Sequence, residues 1–181
     1  MMKKNKKNKT QSNLDFKFMS FFFKIRDKFH SPMEKINKAE IKTGNYVLDY
    51  GCGPGSYTIA AAKIVGISGK VYAADIHPLA MKKVKKKALK KNLENIETIK
   101  TDYKTGLKEN SIDFVICFDV MHAINDQESI LREFHRVLKP NARLSFDDHH
   151  LEENELISLI TSQGLFELEK KKDKQFNFKK I

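Results

Sequence analysis

The stretch that decides the fold is VLDYGCGPGSYT, Val47–Thr58, in which a short apolar run is followed by three closely spaced glycines. The apolar run predicts a buried strand, and SYTIAAAKIV predicts the helix after the turn. Gly51, Gly53 and Gly55 let the turn fold tightly and let a ligand approach the backbone. A helix that begins near Ser56 directs its free amides at the same place. The stretch therefore predicts a strand–turn–helix unit that binds a ligand.

Short apolar runs alternate with helical patterns from this unit onward. Four more strands are predicted over KVYAADI, NIETIKTD, IDFVICFD and ARLSFDD, and LFELEKK and QFNFKKI can pair as a terminal hairpin. The helix DQESILREFHRVLK is predicted between the fourth and fifth strands, with Asn125 as its N-cap and Pro140 past its end. Such alternation is typical of a parallel sheet covered on both faces. The predicted fold is an α/β, Rossmann-like doubly wound sheet of seven strands, mostly parallel, with an antiparallel C-terminal hairpin.

The organisation ahead of the sheet is predicted in two parts. Residues 1–12 are lysine and asparagine with almost nothing apolar, which predicts a disordered tail. Residues 13–43 are predicted to be a helical segment rich in phenylalanine. This segment is interpreted as a packed helix, a lid over a ligand pocket, or a helix lying on a membrane surface. Residues 44–181 are then the ligand-binding domain.

The net charge of +11 raises the question of a nucleic-acid partner. Part of this charge lies in MKKVKKKALKK, where Ala80, Val84 and Ala88 share one side of a helix and the lysines face solvent. Aromatic residues do not alternate with these lysines, as a base-stacking surface would require. The charge pattern therefore favours a solvated helix, and nucleic acid stays an alternative partner.

The location of the protein is predicted from three observations. No run approaches the roughly 18 apolar residues that a membrane span needs. The first residues lack the cleavage pattern of a signal peptide. Cys52 and Cys117 are interpreted as reduced thiols. The predicted location is the cytoplasm.

The spacing of the glycines separates several ligand classes. The pattern Gly-x-Gly-x-Gly is one residue shorter than the dinucleotide fingerprint, and no Gly-Lys-Ser/Thr follows as in a P-loop. Asp75 ends the second strand, where a carboxylate can accept hydrogen bonds from a ribose diol. Asp75 is compatible with NAD as well, so it indicates a nucleoside without choosing the ligand.

With these motifs the chain closely resembles the class I S-adenosylmethionine-dependent methyltransferases, from about Val47 to about Pro140. The resemblance implies S-adenosylmethionine as cofactor, with its ammonium near Asp49 and its ribose at Asp75. It further implies that Asp102, at the end of the third strand, contacts the adenine amine. The residues predicted to bind the cofactor are Asp49, Gly51, Cys52, Gly53, Gly55, Tyr57, Asp75, Ile76, His77, Asp102, Tyr103, Phe118 and Asp119.

Candidate catalytic side chains lie after the fourth and fifth strands. His122 follows the fourth strand, and Asp147-Asp148-His149-His150 ends the fifth. Because these strands are neighbours in this fold, the two groups are expected to converge on one pocket. They are interpreted as a general base, as a divalent metal site, or as polar loop residues without chemistry. His122, His149 and His150 are the predicted catalytic residues, and no metal site is assigned.

The predicted function is methyl transfer from S-adenosylmethionine to an unidentified small-molecule acceptor. This preference rests on the compact spacing of the motifs, between which no substrate-recognition domain is inserted. The alternatives are a non-catalytic S-adenosylmethionine-binding partner or regulatory subunit, and a methyltransferase acting on RNA or protein.

Overall fold

The computed structural model describes residues 10–181, so the predicted tail lies outside the described residues over residues 1–9. Ser12 is the N-cap of the first helix, because its hydroxyl accepts the amide hydrogen of Asp15 at 3.2 Å.

The described chain forms six α-helices and seven strands. The helices are α1 (Asn13–Phe29), α2 (Pro32–Lys38), α3 (Ser56–Val65), α4 (Pro78–Lys90), α5 (Gln127–Val137) and α6 (Glu153–Thr161). The strands are β1 (Tyr46–Tyr50), β2 (Lys70–Asp75), β3 (Ile96–Lys100), β4 (Ile112–Phe118), β5 (Leu138–Asp147), β6 (Phe166–Lys172) and β7 (Gln175–Lys180). A short 3-10 turn, Met121–Ala123, follows β4.

The seven strands form one sheet in the order β3-β2-β1-β4-β5-β7-β6. Strands β1 to β5 pair in parallel, and β7 pairs antiparallel with both β5 and β6. The predicted fold class is therefore confirmed. The strand order reverses between β1 and β4, and in such sheets ligands bind at the carboxyl ends of the strands at this reversal.

The core explains why the central strands are continuous apolar runs. Val47 and Leu48 of β1 are fully buried, as strands covered by helices on both faces must be. On one face, α5 contributes Phe134, which packs edge-to-face on Tyr50 with ring centroids 5.1 Å apart. The lysine helix α4 buries Ala80, Val84 and Ala88, as the sequence predicts.

Two local predictions are wrong. The N-cap of α5 is Asp126, not Asn125, because the Asp126 carboxylate accepts the amide hydrogen of Ser129 at 3.1 Å. Helix α5 also ends at Val137, and β5 begins at Leu138 rather than near Ala142. The register of β5 against β4 shifts beyond Leu138, which accommodates Pro140. The helical sequence pattern continues past Val137, but pairing with β4 places Leu138 in a strand.

None of the helices within residues 10–181 has both the length and the apolar character required to cross a membrane.

Candidate functional site

A cavity of about 1070 Å³ lies at the carboxyl ends of the parallel strands. Gly51 and Gly53 line it after β1, and Phe118 lines it at the end of β4. Helix α1 closes one side with Phe16 and Met19. This volume lies just above the range for small-molecule sites, roughly 300–1,000 Å³.

The glycine loop depends on the absence of side chains. Gly51, Gly53 and Gly55 all have positive φ angles, of 74°, 49° and 80°. A Cβ atom on Gly51 would lie 2.3 Å from a methyl of Val120, and one on Gly55 would lie 2.7 Å from a methyl of Val84. Both the backbone conformation and the close packing therefore require glycine at the two positions.

Asp75 anchors the loop and lines the cavity. Its carboxylate accepts the amide hydrogens of Gly53 at 2.8 Å and His77 at 2.7 Å. Burial raises the pKa of Asp75, and these two amide hydrogen bonds act in the opposite direction. Each carboxylate oxygen still has a second lone pair for a ligand hydroxyl.

Ile76, His77 and Asp102 follow the same edge of the sheet and line the cavity. The His77 ring stacks on Phe16 of α1, with centroids 4.2 Å apart. Its Nδ1 accepts the amide hydrogen of Leu79 and so caps α4. His77 thus connects this edge of the cavity to α1.

Asp49 lies apart from the large cavity. Its carboxylate is buried, accepts the Thr58 hydroxyl, and borders a separate space of about 20 Å³. Burial raises the pKa of Asp49 to about 7, although the Thr58 hydrogen bond opposes the rise. Phe23 and Arg26 of α1 line both spaces. Gly51, Phe118 and Asp119 also line both spaces, so a ligand ammonium would approach Asp49 through the region that these five residues share.

Helix α1 is fastened over the start of α3. The Arg26 guanidinium lies 4.2 Å from the ring centroid of Phe23 and 5.2 Å from that of Tyr57. Asp27 accepts a hydrogen bond from the Ser56 hydroxyl at the first residue of α3. The helix therefore covers the glycine loop, a position compatible with both the packed-helix and the lid interpretations.

His122 and Asp148 form a hydrogen-bonded pair at the ends of β4 and β5. His122 Nδ1 lies 2.9 Å and 3.0 Å from the two Asp148 carboxylate oxygens. The backbone amides of His122 and His150 also donate to this carboxylate, at 3.0 Å and 3.1 Å. Asp148 is fully buried, whereas about a third of His122 is exposed to the cavity side. Since an ionised carboxylate only accepts, the proton of the neutral imidazole belongs on Nδ1 and the lone pair on Nε2.

A second pair joins His149 to Asp119. His149 Nδ1 lies 2.6 Å from Asp119, and Asp119 has a left-handed backbone with φ of 56°. Burial would raise the pKa of Asp119, but hydrogen bonds from His149 and the charge of Lys35 outweigh it and lower the value. Lys35 of α2 forms an ion pair with Asp147, whose pKa burial nevertheless raises to about 6.

The three histidines converge as the sequence predicts. The centroid of the His150 ring lies 3.9 Å from those of both His122 and His149. Two sets of side chains also bring their ligand atoms within 4.8 Å of one another: His122, Asp148 and His150, and Asp119, Asp148 and His149. Both sets have the nitrogen and oxygen donors that could hold a divalent metal ion.

The structure distributes the predicted residues over two adjoining spaces. The large cavity is lined by Gly51, Gly53, Asp75, Ile76, His77, Asp102, Phe118, Asp119, His122, His149 and His150. The small space adds Asp49, Cys52 and Tyr57. Gly55 and Tyr103 lie outside the linings of both spaces. Gly55 instead lets α3 pack against Val84, and Tyr103 packs at the margin of the core.

Several lining residues were not singled out from the sequence. Thr101 and Tyr50 directly neighbour predicted residues at strand ends, so their positions carried a usable signal. No comparable signal in the sequence marked Lys35 or the α1 side chains that line the cavity. Their placement depends on how the N-terminal helices pack on the sheet.

A family model described as "Methyltransferase domain" matches residues 41–179. The chain belongs to this methyltransferase family. The resemblance noted on the glycine loop is therefore confirmed, and S-adenosylmethionine is the methyl donor of this class of protein.

Solved structures support the same fold. An S-adenosylmethionine-dependent methyltransferase from Aquifex aeolicus superimposes with a TM-score of 0.83 at 23% identity, over 95% of this chain and all of that one. Among curated relatives, a protein named demethylmenaquinone methyltransferase from Lactobacillus johnsonii is 32% identical over 124 residues, 67% of this chain and 51% of that protein. Aklanonic acid methyltransferase DauC from a Streptomyces species is 30% identical, over 70% of this chain and 59% of that protein. The methyltransferase chain thus spans about half the length of the curated relatives it matches.

Proposed function

We propose that this methyltransferase moves the methyl group of S-adenosylmethionine to a small, largely apolar acceptor that carries an aromatic hydroxyl, such as a reduced quinone. The observation that carries the proposal is the His122–Asp148 pair, which shares one cavity with Asp75 and the glycine loop. Relatives named demethylmenaquinone methyltransferase favour the quinone class.

The cofactor is proposed to lie along the edge formed by the glycine loop, Asp75 and Asp102. Asp75 would accept the ribose hydroxyls, and Ile76 would lie against the adenine. The methionine end would point beneath Phe23 and Arg26, with its ammonium towards Asp49. Since an ammonium favours an ionised partner, binding would lower the raised pKa of Asp49.

The acceptor is proposed to occupy the other end of the cavity, beside the histidines. The apolar side chains at this end are Ala123, Ile124, Leu151, Leu156 and Phe176, and the charged residues Glu152, Glu153, Lys171, Asp173 and Lys174 line the cavity as well. The apolar group would pack against an aromatic ring. This group, together with the relatives named demethylmenaquinone methyltransferase, is the reason for preferring a small acceptor with an apolar ring.

The chemistry assigned to His122 is general-base catalysis. Its Nε2 takes the proton of the acceptor hydroxyl, while Asp148 stabilises the resulting imidazolium through Nδ1. The electron pair released on oxygen, or on the conjugated ring carbon, forms the new bond to the methyl carbon that bound S-adenosylmethionine would supply, as the carbon–sulfur bond breaks and leaves a neutral thioether. A methylated ring carbon then loses its own proton to solvent, which restores the aromatic ring. His149 and His150, which adjoin the His122 ring, would position the acceptor.

The cytoplasm remains the proposed place of action. Both thiols of the chain, Cys52 and Cys117, are buried and unpaired. Burial also raises the pKa of each thiol well above its usual value, which keeps them protonated and unreactive.

The experiment that tests this function uses methyl-labelled S-adenosylmethionine with a reduced naphthoquinone, a simple phenol, total RNA and a protein extract as separate acceptors. We expect label in the solvent-extractable product of the quinol and loss of that label in His122→Asn. His135→Asn is the matched control, because His135 lies on α5 and bonds the Ile181 carbonyl at 2.9 Å, away from the cavity. Label confined to RNA or protein would contradict the proposal.

A further inference from the structure

The outward side of α1 carries a stripe of large apolar side chains that the described chain leaves uncovered. The stripe consists of Leu14, Phe18, Phe21, Phe22, Ile25 and Phe29, which are 40–78% exposed. Spacings of three and four residues put them on one face roughly 100° wide. The opposite face holds the buried Phe16 and the cavity-lining Phe23, so α1 is apolar on both sides.

An exposed apolar face of this kind marks a contact with a partner or a membrane. A soluble surface helix normally turns charged residues to solvent, and here phenylalanines occupy that side. The inner face already has its partners in α3 and α4, through Asp27 and Phe16. The outer stripe therefore needs an explanation that the cavity does not provide.

A row of positive charges borders the stripe. Lys17, Lys24 and Lys28 are exposed and, at seven and four residues apart, lie along one flank of the helix. Helix α4, which packs on the inner face of α1 through Phe16, carries six further lysines and no acidic residue. The apolar stripe thus has a basic row along one flank, and the exposed Asp15 lies near its other edge.

We propose that α1 docks the protein on the surface of an anionic phospholipid bilayer. The phenylalanines of the stripe enter the boundary between headgroups and acyl chains, and the flanking lysines extend to the lipid phosphates. Each lysine close to such a surface adds to the affinity, and the lysines of α4 act over a longer range. The helix lies on the membrane and does not cross it.

The charge distribution favours a bilayer over antiparallel pairing with a second copy of this chain. When two α1 helices pair antiparallel through their stripes, the same flank of each helix lies side by side. The two rows of Lys17, Lys24 and Lys28 would then face one another and repel. An anionic surface instead attracts every one of these lysines.

The test is co-sedimentation of the full chain with vesicles of phosphatidylcholine alone and of phosphatidylcholine mixed with phosphatidylglycerol. We expect binding to the mixed vesicles only. Phe22→Ser/Phe29→Ser and Lys17→Gln/Lys24→Gln/Lys28→Gln should each weaken this binding at least about tenfold. The experiment requires neither cofactor nor acceptor, so it does not depend on the proposed function.

Matched controls make the same chemical changes elsewhere on the surface. Ile67→Ser/Leu168→Ser removes two other exposed apolar side chains, and Lys42→Gln/Lys63→Gln/Lys108→Gln removes three other exposed lysines. Both controls should bind like the parent chain, and circular dichroism should show all four variants folded. Absence of parent binding, or equal weakening by variants and controls, would overturn the proposal. A dimer that Phe22→Ser/Phe29→Ser dissociates, without vesicle binding, would assign the stripe to a second copy and also overturn it.

Discussion

His122 Nδ1 lies 2.9 Å from Oδ2 of Asp148, a carboxylate whose side chain has no exposed surface. Two backbone amides hold the same carboxylate in place. The imidazole is therefore oriented by a fixed acceptor at Nδ1, and in the proposed mechanism its Nε2 would take the substrate proton. This arrangement follows the logic of a base positioned by a third group.

Replacing Asp148 by asparagine should slow methyl transfer by about 10²- to 10⁴-fold, because the oriented base is lost. The affinity for S-adenosylmethionine should stay unchanged, since Asp148 contacts His122 and not the nucleoside edge. Single-turnover rates and calorimetry measure the two quantities. An acceptor whose hydroxyl is already ionised should lose much less rate in Asp148→Asn, because it needs no base. Equal losses for both acceptors would show that Asp148 only maintains the structure.

Asp49 should make the stability of the ligand-free protein depend on pH. Its folded-state pKa, about 7, lies above the unfolded value, so the folded state prefers the protonated form. The free energy of unfolding should therefore fall as the pH rises from about 4 to about 7, by roughly 2–4 kcal/mol. Asp147, with a pKa raised to about 6, changes stability in the same direction.

The substitution Asp49→Asn tests this assignment by urea unfolding at pH 5 and pH 8. The variant should lose the part of the pH dependence that Asp49 contributes, keep the part that Asp147 contributes, and be more stable than the parent chain at pH 8. It should also bind S-adenosylmethionine more weakly at pH 8, because the ammonium loses its carboxylate. An unchanged pH dependence in Asp49→Asn would place the titrating group elsewhere.

Gly51→Ala should destabilise the protein by more than the backbone conformation alone explains. Gly51 and Gly106 have similar positive φ angles, 74° and 72°, but a Cβ on Gly51 meets Val120 whereas one on Gly106 meets no atom within 4 Å. Gly106→Ala should cost about 1 kcal/mol and Gly51→Ala roughly 2–3 kcal/mol. Thermal unfolding of both variants, and of Gly51→Ala/Val120→Ala, measures the difference. If Val120→Ala restores none of the lost stability, the clash is not its cause.

Removal of divalent metal ions should leave the rate unchanged. The Asp148 carboxylate is already engaged by His122 and two amides, and we assign it to orienting the base rather than to holding an ion. The measurement is methyl transfer before and after treatment with a chelator, with added Mg²⁺, Mn²⁺ or Zn²⁺ as a second arm. Loss of activity on chelation, with recovery on adding one of these ions, would contradict the general-base assignment. It would indicate instead that one of the two histidine–carboxylate sets binds a metal ion.

The local patterns were sufficient to predict the sheet and the loop. Val47 and Leu48 lie in a continuous apolar run ahead of the glycines, which predicts a buried strand. Ala80, Val84 and Ala88 recur every four residues, which predicts the buried side of a helix, and all five residues are buried. The start of β5 was missed because its first residue, Leu138, is strand only through pairing with Ile112 of β4. Such pairing overrides a helical pattern that the sequence continues past Val137.

The candidate site was predictable in place but not in detail. The adjacency of β4 and β5 predicts that His122 and His149 converge. The choice of carboxylate for each histidine depends on the left-handed backbone of Asp119 and the burial of Asp148, which no local pattern encodes. The orientation of α1 could not be predicted from the sequence either. Phenylalanines lie on both faces of this helix, and its packing on the sheet decides which of them line the cavity.

The most direct test of the account is calorimetric titration of the full chain with S-adenosylmethionine, its demethylated product S-adenosylhomocysteine, and NAD. We predict saturable binding of the first two at one site per chain and no heat with NAD. Binding of NAD, or the absence of heat with both sulfur nucleosides on folded protein, would contradict the assignment of this cavity.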